Sequence, residues 1–263
     1  MLELINISKV FNVGTVNENK AISRTNLKVE TGDFITIIGS NGAGKTTLFN
    51  LISGNIFPTE GKIFIKNKNV SKEPEFKRAK NIGRIFQDPT LGTAAQMTIE
   101  DNMIIALTKG FKGLRRSLTN KKREFFKEHL KNLDMGLESR LKDNVGLLSG
   151  GQRQAMTLLM MVLSKPDLIL LDEHVAALDP KNAQIILDLT VKYINDYNLT
   201  TMMITHNMNH AIKYGNRLLM MDKGEIILDV KEEEKKALTV ENLIKKFHDI
   251  RKQSLDNDEI LLS

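Results

Sequence analysis

The chain has 263 residues, of which 41% are hydrophobic and 27% charged, and lysine plus arginine exceed aspartate plus glutamate by 38 − 32 = 6. This length and composition are typical of one large globular domain, or of one domain that carries a subdomain. The absence of cysteine excludes disulfides and thiolate metal sites. The sequence shows neither a signal-peptide pattern at its start nor the about 18 apolar residues of a membrane span. We therefore expect a cytoplasmic protein that reaches a membrane only through a partner.

The first part of the chain reads as strands followed by a helix. Residues 2–11 and 25–30 alternate between apolar and polar, which predicts two antiparallel strands separated by a polar loop at 12–20. The apolar run FITIIG at 34–39 predicts a buried strand. A helix is then expected over 45–54, stopped by Gly54, and a further strand over 61–67.

The pattern changes in the middle of the chain and then changes back. From about Asp88 to Lys165 the periodicity is helical, with many lysines and arginines. Buried strands are predicted again at 167–172, 200–206 and 217–222, and residues 239–258 read as a helix that fades into a polar tail. The implied architecture is an α/β core of strands and helices, interrupted by a mostly helical insert.

A phosphate-binding pattern follows the strand at 34–39. Residues 39–47 read GSNGAGKTT and fit G-x-x-x-x-G-K-[ST]. In this pattern backbone N–H groups curl round a β-phosphate, and side chains at Gly42 and Gly44 would obstruct the curl. The lysine places a cation over the β- and γ-phosphates, and the following hydroxyl binds Mg²⁺. Because an apolar strand precedes the pattern and a helix follows it, we predict a nucleotide site made by Gly39, Ser40, Asn41, Gly42, Ala43, Gly44, Lys45, Thr46 and Thr47, with Thr46 on the metal.

Two acids follow the apolar run of the strand at 167–172. DLILLDE places Asp172 and Glu173 directly after four apolar residues. Acids can simply cap a buried strand, but a P-loop ATPase needs a carboxylate there to hold its metal. We expect Asp172 to act on Mg²⁺, directly or through water, and Glu173 to polarise the attacking water as a general base.

Two further polar residues stand at strand ends. His206 ends the strand predicted at 200–206; such a histidine often has only a structural role, but this strand is aimed at the same sheet edge, so we expect a hydrogen bond to the γ-phosphate. Gln87 ends the segment GRIFQ, where the strands give way to the helical insert. We expect Gln87 to contact Mg²⁺ or the attacking water and to move with the insert.

The segment LLSGGQRQ at 147–154 is a second candidate phosphate site. It places a serine, two glycines and a glutamine ahead of an apolar helical run. The N-terminus of a helix favours an anion through its N–H groups and its dipole. The chain thus carries two candidate phosphate-binding sites, whereas binding of its own nucleotide requires one.

Taken in order, GSNGAGKTT, Gln87, LSGGQ, DLILLDE, AALDP and His206 resemble the nucleotide-binding subunit of an ATP-binding cassette (ABC) transporter, over roughly residues 2–230. The resemblance implies a P-loop NTPase (RecA-like) core with an antiparallel β subdomain and a helical signature subdomain. We expect one ABC ATPase domain, with 1–87 and 166–235 as catalytic core and β subdomain, 88–165 as helical subdomain, and 236–263 as C-terminal helix and tail.

The resemblance also explains the second phosphate device. It implies that two chains dimerise head to tail when ATP binds, and that the signature of one chain contacts the γ-phosphate held by the other. The signature residues are Ser149, Gly150, Gly151 and Gln152. Closure would then depend on ATP, and hydrolysis would remove the ligand that holds the dimer shut.

Three more positions follow from the same resemblance. Phe11 matches the aromatic residue that stacks on adenine, with packing into the small sheet as the alternative. Asp179 in AALDP matches the loop that couples the two sites of the dimer. Many family members have proline after the glutamate, whereas this chain has His174. We expect His174 to be solvent-exposed, with a contact at the dimer interface as the alternative.

The segments FQDPTLGTA and DEHVAALDP resemble bacterial importer ATPases of the amino acid type, associated with aromatic or branched-chain uptake. The implied cofactors are ATP and Mg²⁺. The implied partners are a second copy of the chain, an integral membrane permease at the inner face of the cell membrane and an extracytoplasmic substrate-binding protein, with no nucleic acid. The alternatives are an exporter ATPase and a soluble ABC ATPase that acts on ribosomes or DNA. A single P-loop and an insert of under a hundred residues disfavour the latter, and Glu173 and His206 disfavour a binding module without turnover.

Overall fold

The computed structural model describes residues 1–108 and 118–249. The chain divides into two compact units, Met1–Lys72 with Met202–Ser263, and Glu73–Thr201. The subdomain boundaries expected from the sequence lie at other residues and stay a prediction. Part of the predicted helical subdomain (109–117) and the second half of the predicted C-terminal helix and tail (250–263) lie outside the described residues.

The first unit begins with a small antiparallel sheet. Its elements up to residue 72 are β1 (Leu2–Phe11), β2 (Asn19–Val29), β3 (Phe34–Gly39), α1 (Lys45–Ser53), β4 (Glu60–Ile65) and β5 (Lys68–Asn69). The sheet has the strand order β2-β1-β4-β5. β3 and α1 confirm the predicted buried strand and the helix that stops at Gly54. β2 begins earlier than predicted because its first residues pair with the end of β1 although they lack an apolar alternation.

The second unit is mostly helical. Its elements are α2 (Glu75–Arg78), β6 (Ile82–Ile85), α3 (Ile99–Leu107), α4 (Asn120–Lys131), 3₁₀ turns at Leu137–Ser139 and Val145–Leu147, α5 (Gly150–Leu163), β7 (Leu168–Asp172) and α6 (Pro180–Asp196). α3, α4, α5 and α6 each begin after a serine, threonine or aspartate whose side chain accepts a backbone N–H of the first turn. α5 packs against α3, α4 and α6. β6 and β7 pair in parallel.

The chain then completes the first unit. The remaining elements are β8 (Thr201–Ile204), α7 (Met208–Lys213), β9 (Arg217–Asp222), β10 (Glu225–Lys231) and α8 (Glu232–Lys236), and residues 240–249 are helical. In this unit the neighbouring strands run in the order β10-β9-β3-β8. β3 and β9 are parallel and almost wholly buried, which explains their continuous apolar sequences. Across residues 1–108 and 118–249, none of the helices has the length and apolar composition of a membrane span.

Candidate functional site

The phosphate-binding pattern forms the connection between β3 and α1, in the first unit. Lys45 is 6% exposed and folds back over this loop. Its Nζ donates to the carbonyl oxygens of Gly39 (2.8 Å) and Ser40 (2.9 Å). A phosphate oxygen carries negative charge, so it attracts an ammonium group more strongly than a neutral carbonyl oxygen does. The ammonium is therefore placed to exchange these contacts for contacts to phosphate.

The glycines of the loop are needed for its backbone. Gly42 and Gly44 have φ angles of +79° and +96°, in the left-handed region that favours glycine. A Cβ at Gly42 would meet no described atom within 4 Å, whereas a Cβ at Gly44 would lie 2.5 Å from the carbonyl oxygen of Ala21. The requirement for glycine thus comes from backbone conformation, and at Gly44 also from the close approach of β2, in addition to the phosphate contact expected from the sequence.

The first turn of α1 is open to an anion. Within the described part of the chain no side chain caps this helix, and its first turn holds no acidic residue. The N–H groups and the dipole at such an end favour a negatively charged ligand. Thr46 is exposed in this turn, and Ser40 at the start of the loop donates its hydroxyl to Asp222 Oδ1 at 3.0 Å.

His206 lies at the same end of β3 as the loop. β8 is the neighbour of β3, and the N–H of Thr205 donates to the carbonyl of Ile37 at 3.1 Å. His206 is the next residue and is exposed. The first unit therefore brings the predicted γ-phosphate contact and the P-loop to one edge.

Phe11 ends β1, where it pairs with Asn19. Its ring is partly exposed, and Lys9 Nζ lies 5.1 Å from the ring centroid. An aromatic ring with accessible surface is suited to stacking on a base, and this role of Phe11 stays a prediction.

In the second unit, the strand register aligns three of the predicted residues. β6 and β7 pair in parallel, with Arg84 opposite Leu170 and Ile85 opposite Leu171. β6 ends at Ile85 and β7 at Asp172, so Gln87 follows the end of one strand and Glu173 follows the end of the strand paired with it. The unit therefore brings Gln87 and both acids to one edge of the strand pair.

Asp172 is buried and paired with an arginine that the sequence reasoning missed. Its carboxylate Oδ2 lies 2.9 Å from Arg84 Nη2, and both side chains are about nine-tenths buried. Arg84 also lies over the Phe86 ring, 4.7 Å from its centroid. The signal for this contact was a lone arginine inside the apolar segment IGRIF at 82–86.

The donors near Asp172 fit magnesium better than a protein-caged metal. Among residues 1–108 and 118–249, no three histidine, cysteine, aspartate or glutamate side chains are grouped to hold an ion. Mg²⁺ usually takes one or two carboxylates together with substrate phosphates and water. A single oriented carboxylate such as Asp172 is a suitable protein ligand for an ion that takes its other ligands from phosphate and water.

Glu173 has an unusual backbone. Its φ is +49°, in the left-handed region that residues other than glycine and asparagine seldom adopt. Its side chain is partly exposed. Strained conformations of this kind cluster at functional sites, which agrees with the catalytic role expected for Glu173.

The second candidate phosphate site is a capped helix N-terminus. Ser149 is the N-cap of α5: its Oγ accepts the N–H of Gln152, and Gln152 Oε1 accepts the N–H of Ser149, both at 3.2 Å. This reciprocal pair is a capping box, which stabilises the first turn of a helix. Gln152 Nε2 also donates to the carbonyl of Met135 at 3.3 Å.

The start of α5 packs against the start of α6. A Cβ at Gly151 would lie 3.1 Å from Asn182 Cγ, so the glycine allows the close approach of these helices. Asn182 donates its side-chain amide (2.6 Å) and its backbone N–H (3.1 Å) to Asp179, the N-cap of α6. These bonds hold the pKa of the Asp179 carboxyl below its usual value. Asn182 thus lies close to the signature residue Gly151 and bonds to Asp179, the predicted coupling residue.

The expectation that His174 is solvent-exposed was wrong. The residue is 1% exposed, and its Nε2 lies 3.1 Å from Thr190 Oγ1 on α6. The chain folds back after β7, which buries the ring against α6. Local sequence gives no sign of this contact, because Thr190 lies 16 residues away.

Comparisons with known proteins agree on one family. Residues 22–176 match the family model described as ABC transporter. The chain is 43% identical over 249 residues, 94% of its own length and 98% of the relative, to a tyrosine transport ATP-binding protein of Clostridioides difficile (strain R20291). It superimposes with a TM-score of 0.74 and 27% identity on the ADP conformation of an ATP-binding cassette from an ABC transporter, covering 94% of this chain and 98% of that one. With a dimeric cassette in a post-hydrolysis state, bound to ADP and Pi, the TM-score is 0.71 and the identity 28%, over 88% and 98% of the two chains.

These likenesses confirm the predicted α/β fold with a P-loop NTPase core. The family model covers more than half of the chain, and the relative is similar over almost its whole length. The chain therefore belongs to the ABC transporter family, as an ATP-binding cassette that hydrolyses ATP in transport.

Proposed function

We propose that this chain powers the import of an amino acid, of the aromatic type, through a separate membrane permease. The observation that supports the substrate class is the 43% identity to a tyrosine transport ATP-binding protein, over nearly the full length of both chains. Branched-chain uptake, which the sequence segments also suggest, is the nearest competitor. The chain would then lie in the cytoplasm, on the inner face of the membrane. The same transport system would include an extracytoplasmic binding protein on the other side of the membrane.

We infer that the residues described above have different roles in ATP binding and hydrolysis. Lys45 and the N–H groups of the loop and α1 hold the β- and γ-phosphates, and Phe11 stacks on the adenine. Thr46, Asp172 and Gln87 would hold Mg²⁺, which would neutralise charge on the phosphates.

Glu173 accepts the proton of the attacking water, and His206 donates a hydrogen bond to the γ-phosphate. The single geometric observation that supports the roles of Gln87, Asp172 and Glu173 is the parallel pairing of β6 and β7, since all three residues lie at or just beyond the ends of these strands.

Replacement of the proposed base tests this mechanism. Glu173→Gln keeps the size of the side chain but removes its basicity, so hydrolysis should fall by about 10²-fold or more while ATP binding is retained. The variant should also accumulate an ATP-bound dimer, measured by gel filtration. Turnover near the wild-type rate would contradict the role of Glu173.

We propose that the dimer is head to tail, with Ser149, Gly150, Gly151 and Gln152 on the partner chain's γ-phosphate and Asp179 at the coupling loop. Two observations support it: α5 presents a helix N-terminus, and a solved cassette 28% identical to this chain is dimeric with ADP and Pi bound.

A permease would dock on the segment between Gln87 and α3. In this segment Leu91 is 65% exposed and Met97 is 38% exposed, which gives apolar surface for a partner. Single cysteines placed at positions 90–100 can be crosslinked without background, because the chain has no native cysteine. Crosslinks to a permease that form only from the opposite face would contradict this docking site.

The substrate and the direction of transport are tested together. Proteoliposomes that hold the copurifying permease should take up labelled tyrosine, in the presence of the binding protein and ATP, faster than leucine. Faster uptake of leucine would assign the branched-chain class. Efflux without any dependence on a binding protein would overturn import in favour of an exporter.

A further inference from the structure

The backbone around Glu173 needs support from its surroundings. A glutamate at φ +49° is strained, and such a conformation persists only where neighbouring contacts fix it. One contact is local: the carbonyl of Glu173 accepts the N–H of Ala176 at 2.9 Å and closes a turn. The other contacts come from more distant elements and act on the next residue, His174.

The first distant contact comes from α5, the helix that begins at the signature residues. Gln154 lies on α5, is fully buried, and donates Nε2 to the carbonyl oxygen of His174 at 2.5 Å. This bond fixes the peptide that follows Glu173. Because α5 begins directly after Ser149, the helix whose N-terminus is the candidate phosphate contact also holds the chain beside the candidate base.

The second contact fixes the ring of His174 and its tautomer. Thr190 Oγ1 donates to the carbonyl of Ile186 at 2.7 Å, and His174 Nε2 lies 3.1 Å from the same oxygen. A hydroxyl has one hydrogen, and here it is given to Ile186. His174 Nε2 must therefore carry a hydrogen and donate it to Thr190, which anchors the ring on α6.

The chemistry of Gln154 suggests more than a packing role. Its Oε1 is buried without a hydrogen-bond partner among the described residues. A buried unpaired carbonyl destabilises a fold, so an apolar residue of the same volume would serve packing better. What glutamine adds at this position is the bond to His174.

We propose that His174, held by Gln154 on one side and Thr190 on the other, is a positioning residue that fixes Glu173 for catalysis. This role rests on the proposed function of Glu173 as the base. It also gives α5 a second role, because the helix that meets a partner's phosphate then holds the base of its own chain as well.

The test separates positioning from folding. Thr190→Val keeps the volume but removes the acceptor for His174, and Gln154→Met removes the donor to its carbonyl. Each should lower kcat by about tenfold or more, as a small misplacement of a catalytic group does. The KM for ATP should not change, and the thermal unfolding midpoint should change little.

A conservative variant and a matched control sharpen the test. His174→Gln keeps a side-chain N–H donor and should retain more activity than His174→Leu, which has none. Thr157→Val removes a buried threonine hydroxyl on α5 that bonds to the carbonyl of Arg153 at 2.9 Å, in the same manner as Thr190 bonds to Ile186. It should leave kcat within about twofold of wild type, the range usual for a substitution without a specific role.

A double-mutant cycle decides whether His174 acts through Glu173. In the Glu173→Gln background, Thr190→Val should lower the residual rate no further, because effects that act through one residue are not additive. A repeated tenfold loss in that background would overturn the proposal, and so would wild-type kcat in both folded single variants. Failure of the proposed base itself would show separately, as retained turnover in Glu173→Gln alone. If Gln154→Met does not fold, the kcat of Thr190→Val decides the test alone, because valine keeps the volume of the threonine side chain.

Discussion

The N-termini of α1 and α5 are both candidate phosphate sites, but the chain prepares them differently. Among the described residues no side chain caps α1, which starts at a left-handed glycine, Gly44. α5 starts at Ser149 and is closed by a capping box with Gln152. Side chains of the described residues thus leave the first N–H groups of α1 uncapped, whereas Ser149 accepts the N–H of Gln152 in the first turn of α5.

This difference matches the two roles that we propose. A site that binds its own nucleotide in every cycle can leave its N–H groups for that ligand. A helix N-terminus that contacts phosphate only in the dimer has to be folded before the dimer forms. The capping box stabilises the first turn of α5 in the absence of that phosphate.

The largest effect is expected at the P-loop lysine. Lys45→Ala removes a cation that would bind two phosphates, and bonds to charged groups contribute about 1.5–3 kcal/mol each, so affinity for ATP should fall by roughly 10²- to 10⁴-fold. Titration with a fluorescent ATP analogue measures this. Lys62→Ala, which removes an exposed lysine of β4 in the same unit, is the control and should bind normally. Unchanged affinity in Lys45→Ala would show that the loop is not the nucleotide site.

The next largest effect is expected when two inactive variants are mixed, if one nucleotide is bound by the α1 N-terminus of one chain and the α5 N-terminus of its partner. Ser149→Arg and Lys45→Ala should each be inactive, but a mixed dimer has one intact composite site, formed by the P-loop of the first variant and the signature of the second. With random pairing, mixing should restore up to roughly a quarter of wild-type ATPase activity, since half the dimers are mixed and each has one working site. The recovery is smaller if both sites must act together. No recovery despite demonstrated subunit exchange would contradict the in-trans arrangement.

A pair of glycine substitutions separates backbone strain from phosphate access. Gly44→Ala should lower the free energy of unfolding by about 1–3 kcal/mol, because its φ is +96° and its Cβ would lie 2.5 Å from the carbonyl of Ala21. Gly150→Ala should leave folding unchanged or more stable by up to about 1 kcal/mol, since its Cβ would meet Leu178 Cδ2 at an ordinary 3.4 Å and alanine favours helix. Urea unfolding measures both. Gly150→Ala should nevertheless weaken the ATP-dependent dimer in the Glu173→Gln background, and a normal dimer would argue against phosphate contact there.

The smallest effect concerns the cap itself. Ser149→Ala should lower the free energy of unfolding by about 1 kcal/mol, the usual cost of a lost N-cap, and should also weaken the ATP-dependent dimer. Thr98→Ala, at the N-cap of α3, removes a similar bond to the N–H of Asp101 at 3.2 Å. This control should lose similar stability and keep its dimer. Equal loss of dimer in both variants would reduce the role of Ser149 to helix capping.

Elements with continuous apolar sequences could be predicted almost to the residue. β3, β7 and β9 are buried runs bounded by glycine or acids, so their sequences alone define them. β10 was missed although the sequence holds a signal, the glycine of the pair Lys223-Gly224 directly after an apolar strand. In the structure both residues have positive φ and form the two-residue turn of a hairpin.

Parts of the candidate site could not be predicted for a physical reason. The P-loop is set by local backbone, so a local pattern identifies it. The burial of His174 and the pairing of Asp172 with Arg84 depend on contacts between residues 16 and 88 positions apart. Such contacts leave at most a weak trace in sequence, such as the arginine inside an apolar strand.

The left-handed backbone at Glu173 has a consequence for protein engineering. Holding a glutamate at φ +49° costs roughly 1–3 kcal/mol, which glycine would avoid. Selection of variants for heat resistance alone, without regard to ATP turnover, should therefore replace Glu173 with glycine or asparagine and yield a more stable cassette that lacks the base we propose. At this position thermal stability and the proposed catalytic role oppose each other.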